Sequence, residues 1–103
     1  MIQVATGQVE EEGLGYRREC PVRPWSTEQT EARERTVEVV FDEPFDGEPA
    51  VSVSVTQLDM DRHYNTRVRT SVEAVTESGF TLLIGTWCDT YVYSIRVDYE
   101  AVG

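Results

Sequence analysis

The 103-residue chain has no lysine, only two cysteines and a single histidine. Its nine basic residues are all arginine and stand against nineteen acidic residues, which gives a formal net charge of −10. Nucleic-acid binding draws most of its affinity from neutralising phosphates, so this balance argues against a nucleic-acid partner. An anionic membrane surface is disfavoured for the same reason. A neutral or cationic ligand fits the charge better, although the charge also serves solubility alone.

Long apolar runs are missing as well. No segment approaches the ~20 apolar residues that a membrane-spanning helix requires. The first residues, MIQVATGQVEEEG, lack the basic start and the apolar stretch of a signal peptide. We therefore expect a protein that acts in the cytoplasm as it stands, or outside the cell if a leader has been removed. The length and the 40% hydrophobic content predict one globular domain over residues 1–103.

The few potential metal ligands and thiols restrict the chemistry further. Cys20 and Cys88 could form one disulfide, which would close a long loop and stabilise the fold by roughly 4 kcal/mol in the chain-entropy model. Two free thiols in a reducing compartment are the alternative. These cysteines and His63 show no CxxC or HxxxH spacing, so the sequence predicts neither a metal site nor a cofactor.

Side chains alternate with a period of two almost everywhere after residue 36, in segments rich in β-branched and aromatic residues. This pattern is typical of half-buried β-strands. With an opening strand near residues 2–10, the count is six. The sets predicted to share one face are Val37, Val39 and Phe41; Val51, Val53 and Val55; Val68, Thr70, Val72 and Ala74; Phe80, Leu82 and Ile84; and Tyr91, Tyr93, Ile95, Val97 and Tyr99.

The segments between these strands predict chain reversals. DEPFDGEP (42–49) carries two prolines and a glycine, and TESG (76–79) predicts a tight hairpin in which Gly79 takes a positive φ. Residues 12–35 form a long irregular connection, which we expect to pack across one end of the domain, and TEQTEARERT (27–36) within it predicts a loop or one helical turn. With no βαβ alternation, the fold class is all-β: a six-stranded antiparallel β-sandwich.

The stretch GTWCDTYVY (85–93) concentrates residues that can carry chemistry. A nucleophilic Cys88 would need a base and an electropositive setting, whereas the single histidine lies in another loop and the adjacent Asp89 disfavours a thiolate. A structural cysteine is the better interpretation. Carboxylate pairs such as Asp59 with Asp61 could serve a glycosidase, but such pairs arise by chance in so acidic a chain, and a solvated or turn-capping role explains each acid more simply.

A third group combines aromatic side chains with arginines. Trp87, Tyr91 and Tyr93 could stack on a sugar ring while Arg67 and Arg69 hydrogen-bond its hydroxyls. The two tyrosines also share a face with core positions of the last strand. A sugar platform and a core or subunit interface therefore both remain open from the pattern alone.

Several blocks taken together are similar to the H-type lectin family, which includes snail agglutinins and the C-terminal domain of discoidins. They are VVFDEPFDGEPAVSVSVTQLD, NTRV, SGF, TWCDT and VYSIRVDYEAVG, in register from about residue 36 to the C-terminus. The resemblance implies a six-stranded antiparallel sandwich that assembles as a homotrimer, with a hexamer as a further assembly that the sequence does not decide. It also implies binding of N-acetylgalactosamine or galactose without metal and without catalysis, in sites between protomers.

The resemblance also implies roles for individual residues. Arg67 matches the arginine that hydrogen-bonds the sugar, Trp87 matches the tryptophan that packs on it, and Tyr93 matches an aromatic residue lining the site. Cys88 stands where the family often has an imidazole or an aromatic ring, so with Asp89 it would form a smaller pocket wall.

The neighbouring protomer of the family contributes polar groups from a Gly-x-Asp loop. This chain has no such motif there, and the polar contacts would come from Ser26, Glu28 or Thr30. The two departures, at Cys88 and in this loop, favour a competing function: a trimeric structural or adhesive module that has lost sugar binding.

Overall fold

The computed structural model describes residues 2–15, Cys20, Gln29 and residues 32–103. These residues form six antiparallel strands and no α-helix, which confirms the predicted fold class. None of the described segments is a helix long and apolar enough to cross a bilayer. In chain order the strands are β1 (Val4–Leu14), β2 (Arg33–Val40), β3 (Ala50–Met60), β4 (Val68–Thr76), β5 (Gly79–Thr86) and β6 (Val92–Val102).

The strands are divided between two three-stranded sheets. One has the order β1-β6-β3 and the other β2-β5-β4, so β6 and β5 are the central strands. Val97 of β6, for example, lies opposite Val9 of β1 and Val55 of β3. Because alternate side chains of a strand point to opposite faces, each sheet presents an apolar inner face and a polar outer face.

The inner faces of the two sheets form one core. Burying each of its large aliphatic side chains contributes roughly 1.5–3 kcal/mol. Near the chain termini the core ends in aromatic pairs, with ring centroids 5.1 Å apart for Phe41 and Phe45 and 5.3 Å apart for Phe80 and Tyr99. The buried apolar cluster consists of Leu14, Val39, Phe41, Phe45, Phe80, Leu82, Ile84, Val92, Ile95, Val97 and Ala101.

Register shifts change which side chains face inward. A bulge in β4 between Glu73 and Thr76 gives Ala74 a φ of 51° and exposes it, while Val75 packs against the core. The predicted inward position of Ala74 is therefore wrong, because a bulge adds one residue to the period of two. Val55 faces the inner side of β3, as predicted, but remains 42% exposed because β3 is an edge strand.

The turns also differ in detail from the sequence prediction. The β4–β5 hairpin forms as expected, but Gly79 is not among the glycines with positive φ, which in the described residues are Gly13 and Gly15. Gly79 is needed for another reason: a Cβ there would collide with the backbone carbonyl oxygen of Val39.

The long connection is shorter at both ends than the predicted 12–35. Strand β1 continues to Leu14 instead of ending near residue 10, and β2 begins at Arg33. The expected loop or helical turn in TEQTEARERT is thus wrong for residues 33–36, which are strand. The remainder of that prediction, and the expected packing across the end of the sandwich, fall almost entirely outside the described residues.

Candidate functional site

Residues 61–67 and 87–91 lie at the same end of the sandwich, and at that end the chain also leaves β1 and enters β2. The register places them there, because Val92 at the start of β6 lies opposite both Leu14 and Met60. In the other sheet, Thr86 at the end of β5 lies opposite both Arg33 and Val68. The antiparallel pairing therefore brings the TWCDT and NTRV blocks together.

Residues 87–91, called here the β5–β6 turn, have an unusual backbone. Cys88 takes a φ of 58°, and the amide of Thr90 donates to the carbonyl of Trp87 at 3.4 Å. Cys88 is fully buried and forms a disulfide with Cys20, with a Cα–Cα distance of 5.2 Å. Of the two alternatives for the cysteines, the structure shows the disulfide, and a sulfur in this bond is not a nucleophilic thiolate.

Arg67 and Asp89 form an ion pair across two of the connections. Arg67 Nη1 donates to Asp89 Oδ1, and the two side chains are only 6% and 16% exposed. A charge-assisted hydrogen bond is stronger than a neutral one and fixes its partners closely. Asp89 therefore orients the guanidinium of Arg67 and leaves only a small edge of it at the surface.

Arg33, which the sequence did not single out, binds the β5–β6 turn from the side. Its Nη2 donates to the carbonyl oxygens of Cys88 at 2.8 Å and Thr90 at 3.1 Å. The hydroxyl of Thr90 in turn donates to the carbonyl of Asn65 at 2.6 Å, which joins the turn to the β3–β4 connection. The alternating charges of RERT (33–36) do not indicate this role of Arg33, because the role depends on the residue at which β2 begins.

Asp61 organises the tyrosines beside this turn. Its amide donates to the carbonyl of Tyr91 at 2.9 Å, and the hydroxyl of Tyr93 donates to its Oδ2 at 3.3 Å. The other carboxylate oxygen accepts from the backbone amide of His63 at 2.9 Å and lies 2.7 Å from His63 Nδ1. Of the two roles expected for this acid, Asp61 takes turn capping, since it accepts from the His63 amide, and it is not solvated, since it is only 3% exposed.

The two tyrosines are not core residues. Tyr93 is 42% exposed, Tyr91 is half-buried, and their ring centroids lie 5.0 Å apart. Tyr93 is the extra residue where β6 skips from Ser94 to Val92 opposite β3, so a bulge turns it outward while Val92 enters the core. The core alternative for Tyr93 is therefore wrong.

Trp87 begins the β5–β6 turn and is half-buried. Its indole Nε1 is buried and has no hydrogen-bond acceptor among the described residues. Buried indole N–H groups usually find a hydrogen-bond partner, so Trp87 is an exception within the described part of the chain.

The remaining candidates lie elsewhere. Arg69 pairs with Glu34 at 2.8 Å on the outer face of its sheet, and Asp59 is exposed near the end of β3. Within the described ranges no group of three or more histidine, cysteine or acidic residues is arranged to hold a metal ion. The predicted contacts from Ser26, Glu28 and Thr30 lie outside the described residues.

Comparison with solved structures shows the same architecture in other proteins. Discoidin II from Dictyostelium discoideum superposes with a TM-score of 0.76 at 27% identity, over 100% of this chain and 37% of that one. The tailspike protein gp49 from Pseudomonas phage LKA1 superposes with a TM-score of 0.67 at 19% identity, over 98% of this chain and 15% of that one, which shows a shared fold alone.

Sequence comparison identifies the family. A protein from Fuscovulum blasticum, named ATP synthase subunits region ORF 7, is 39% identical over 71 residues, which are 69% of this chain and 62% of that protein. The matched part is thus less than two thirds of that relative's length. The profile of the H-type lectin domain matches residues 36–102, from within β2 to the end of β6. Because that match covers more than half of the chain, this protein belongs to the H-type lectin domain family, a family of carbohydrate-binding proteins.

Proposed function

We propose that the chain binds terminal N-acetylgalactosamine or galactose and does so as a homotrimer without catalysis. The observation that carries the proposal is the ion pair between Arg67 and Asp89, since Asp89 lies in the same turn as Trp87. By their sequence blocks, Arg67 and Trp87 resemble the arginine and the tryptophan that contact sugar in the family. A guanidinium held on one side by a carboxylate is already oriented for hydrogen bonds to sugar hydroxyls, so little side-chain entropy is lost on binding.

The other residues of this end complement the pair. Trp87 supplies the apolar surface on which one face of a pyranose packs. Tyr93 borders the site as a partly exposed ring whose hydroxyl is directed by Asp61. Ser26, Glu28 or Thr30 of a neighbouring protomer would complete the site with polar contacts.

Trimerisation is expected to raise the affinity for glycan-bearing surfaces as well as to complete the site. A single shallow sugar site binds weakly, whereas three sites on one particle can raise the apparent affinity for a glycan-bearing surface by ~10²–10⁴-fold when the spacing fits. Simple monosaccharides should therefore bind far more weakly than clustered glycans.

Calorimetric titration with N-acetylgalactosamine, and with N-acetylglucosamine as the epimeric control, tests the proposal. We expect weak binding of the galacto-configured sugar that is insensitive to chelator. Trp87→Ala should abolish it, and Arg67→Lys should weaken it at least ~10-fold, since a bidentate fork is lost. Arg69→Lys is the matched control, because Arg69 pairs with Glu34 outside the site. Equal losses from Arg67→Lys and Arg69→Lys would contradict the assignment.

The competing function is a trimeric structural or adhesive module without sugar binding. The specific observation in its favour is that Cys88 is fully buried in a disulfide, while Asp89 engages part of Arg67. A stable trimer that shows no binding at millimolar sugar and no signal on a glycan array would establish this alternative. Release of product from a galactoside would instead show an enzyme.

A further inference from the structure

The β5–β6 turn is held by two contacts besides the Arg67–Asp89 pair. One is the Cys20–Cys88 disulfide, and the other is the pair of hydrogen bonds from Arg33 to the carbonyls of Cys88 and Thr90. We call these the two braces. Cys88 needs them, because a non-glycine residue at a φ of 58° persists only where its surroundings determine its conformation.

The position of Cys88 makes the braces important for binding. It lies between Trp87 and Asp89, so a change in its backbone conformation moves both neighbours. Trp87 is the proposed packing surface, and Asp89 orients Arg67. A misplacement of these groups by even 1 Å would separate the apolar contact from the hydrogen-bonding contact.

The sandwich itself depends much less on the braces. The buried apolar cluster contains neither cysteine, and the ladders of the two sheets join only strands. The disulfide connects a residue between β1 and β2 to a turn at one end of the molecule. Opening it should therefore loosen that end while the sheets persist.

We propose that Cys20, Cys88 and Arg33 are positioning residues of the sugar site, so that sugar affinity depends on the disulfide being closed. This inference rests on the proposed function. A dithiol reductant would pass two electrons and two protons to the cystine, giving two thiols, while the dithiol closes to its own disulfide. The oxidised protein is the binding form, which suits an oxidising compartment, and a reducing compartment keeps the affinity low.

Hydrogen–deuterium exchange of the oxidised and the dithiol-reduced protein tests the positioning without any sugar. We expect the peptide covering 86–91, including the Thr90 amide, to exchange nearly as fast as an unstructured peptide. Strands β4 and β6 should stay folded and exchange much more slowly than the turn, although faster than in the oxidised protein, because the disulfide also stabilises the fold as a whole. Unchanged exchange in the turn would overturn the proposal. So would strands that exchange as fast as the turn, because the reduced protein would then be unfolded. In parallel, the affinity for N-acetylgalactosamine should fall about tenfold on reduction, a coupling of ordinary size.

Variants of Arg33 test the second brace with the disulfide intact. Arg33→Met should speed exchange in the turn and weaken sugar binding, whereas Arg33→Lys should restore most of both, since an ammonium can donate to both carbonyls. Arg35→Met is the matched control, because Arg35 lies on the same strand and donates to the carbonyl of Glu12 at 2.8 Å, away from the turn. Equal effects of the Met variants at 33 and 35 would overturn the role of Arg33.

The two proposals fail in different ways. If the oxidised wild-type protein binds no galacto-configured sugar, the proposed function fails, and the exchange data still decide whether the braces hold the turn. If it binds sugar equally well when oxidised and reduced, the lectin function stands and the dependence on the disulfide is refuted.

Discussion

At the scale of single residues, the site depends on a buried charge and its partner. Arg67 could be identified from the NTRV block, but its 6% exposure and its pairing with Asp89 could not, since they require the β3–β4 and β5–β6 connections to meet. An isolated guanidinium in so buried a position would be costly, because desolvation penalises the charge. Asp89 therefore stabilises the fold and, with the same contact, orients Arg67 for its proposed role in sugar binding.

The substitution Asp89→Asn tests this dual role. The amide keeps the shape but removes the negative charge, so we expect the free energy of unfolding to fall by about 2–3 kcal/mol, near the lower end for breaking a buried pair. Sugar affinity should fall as well. Urea denaturation and calorimetry are the measurements. Asp98→Asn is the control, because Asp98 accepts a hydrogen bond from the hydroxyl of Thr56 at 2.9 Å on an exposed face. A similar loss of unfolding free energy in both variants would show that the Arg67–Asp89 ion pair stabilises the protein no more than an exposed hydrogen bond does.

At the scale of elements, the period of two predicted the six strands because it records which side chains face a core. The period could not predict the bulges, because a bulge shifts it by one residue without any distinctive residue type in the sequence. Ala74 was misplaced and Tyr93 was left ambiguous for this reason. Arg33 was missed because its role depends on the backbone carbonyls of a distant turn. Turn capping was expected for Asp61, but its contacts with Tyr91 and Tyr93 were not. Family blocks led to the proposed roles of Arg67 and Trp87, where pattern alone left them undecided.

The β4–β5 hairpin offers a test at this scale. A Cβ on Gly79 would collide with the Val39 carbonyl oxygen, so Gly79→Ala must push two paired strands apart. We expect a loss of about 1–3 kcal/mol in the free energy of unfolding, as for other overpacked sites. The control is Gly47→Ala, since nothing lies within 4 Å of a Cβ at Gly47. That variant should change stability by less than about 0.5 kcal/mol. The measurement is the urea midpoint of each variant, compared at unchanged m-value. Equal midpoints for Gly79→Ala and Gly47→Ala would contradict the steric argument.

At the scale of the whole molecule, the sandwich has an apolar edge. Val55 and Leu58 lie on the core-facing side of β3, yet they are 42% and 38% exposed because no strand beyond β3 covers them within the described part of the chain. An exposed apolar edge strand invites uncontrolled pairing, so proteins usually protect it. A second copy of the chain is the occupant that the proposed trimer supplies, because each protomer of a three-fold ring presents the same edge to its neighbour.

Charge at this edge should therefore dissociate the trimer. We expect the double variant Val55→Glu with Leu58→Glu to sediment as a monomer under conditions where the wild type sediments as a trimer, because interface cores exclude unpaired charge. Val40→Glu is the control, since Val40 is 76% exposed but lies on β2 at the opposite end from the sugar site. The monomer should also lose binding to glycan-coated surfaces, since both multivalency and the neighbour's contacts disappear. Dissociation by Val40→Glu alone would place the interface on the β2-β5-β4 sheet instead, and a monomeric wild type would refute the trimer itself.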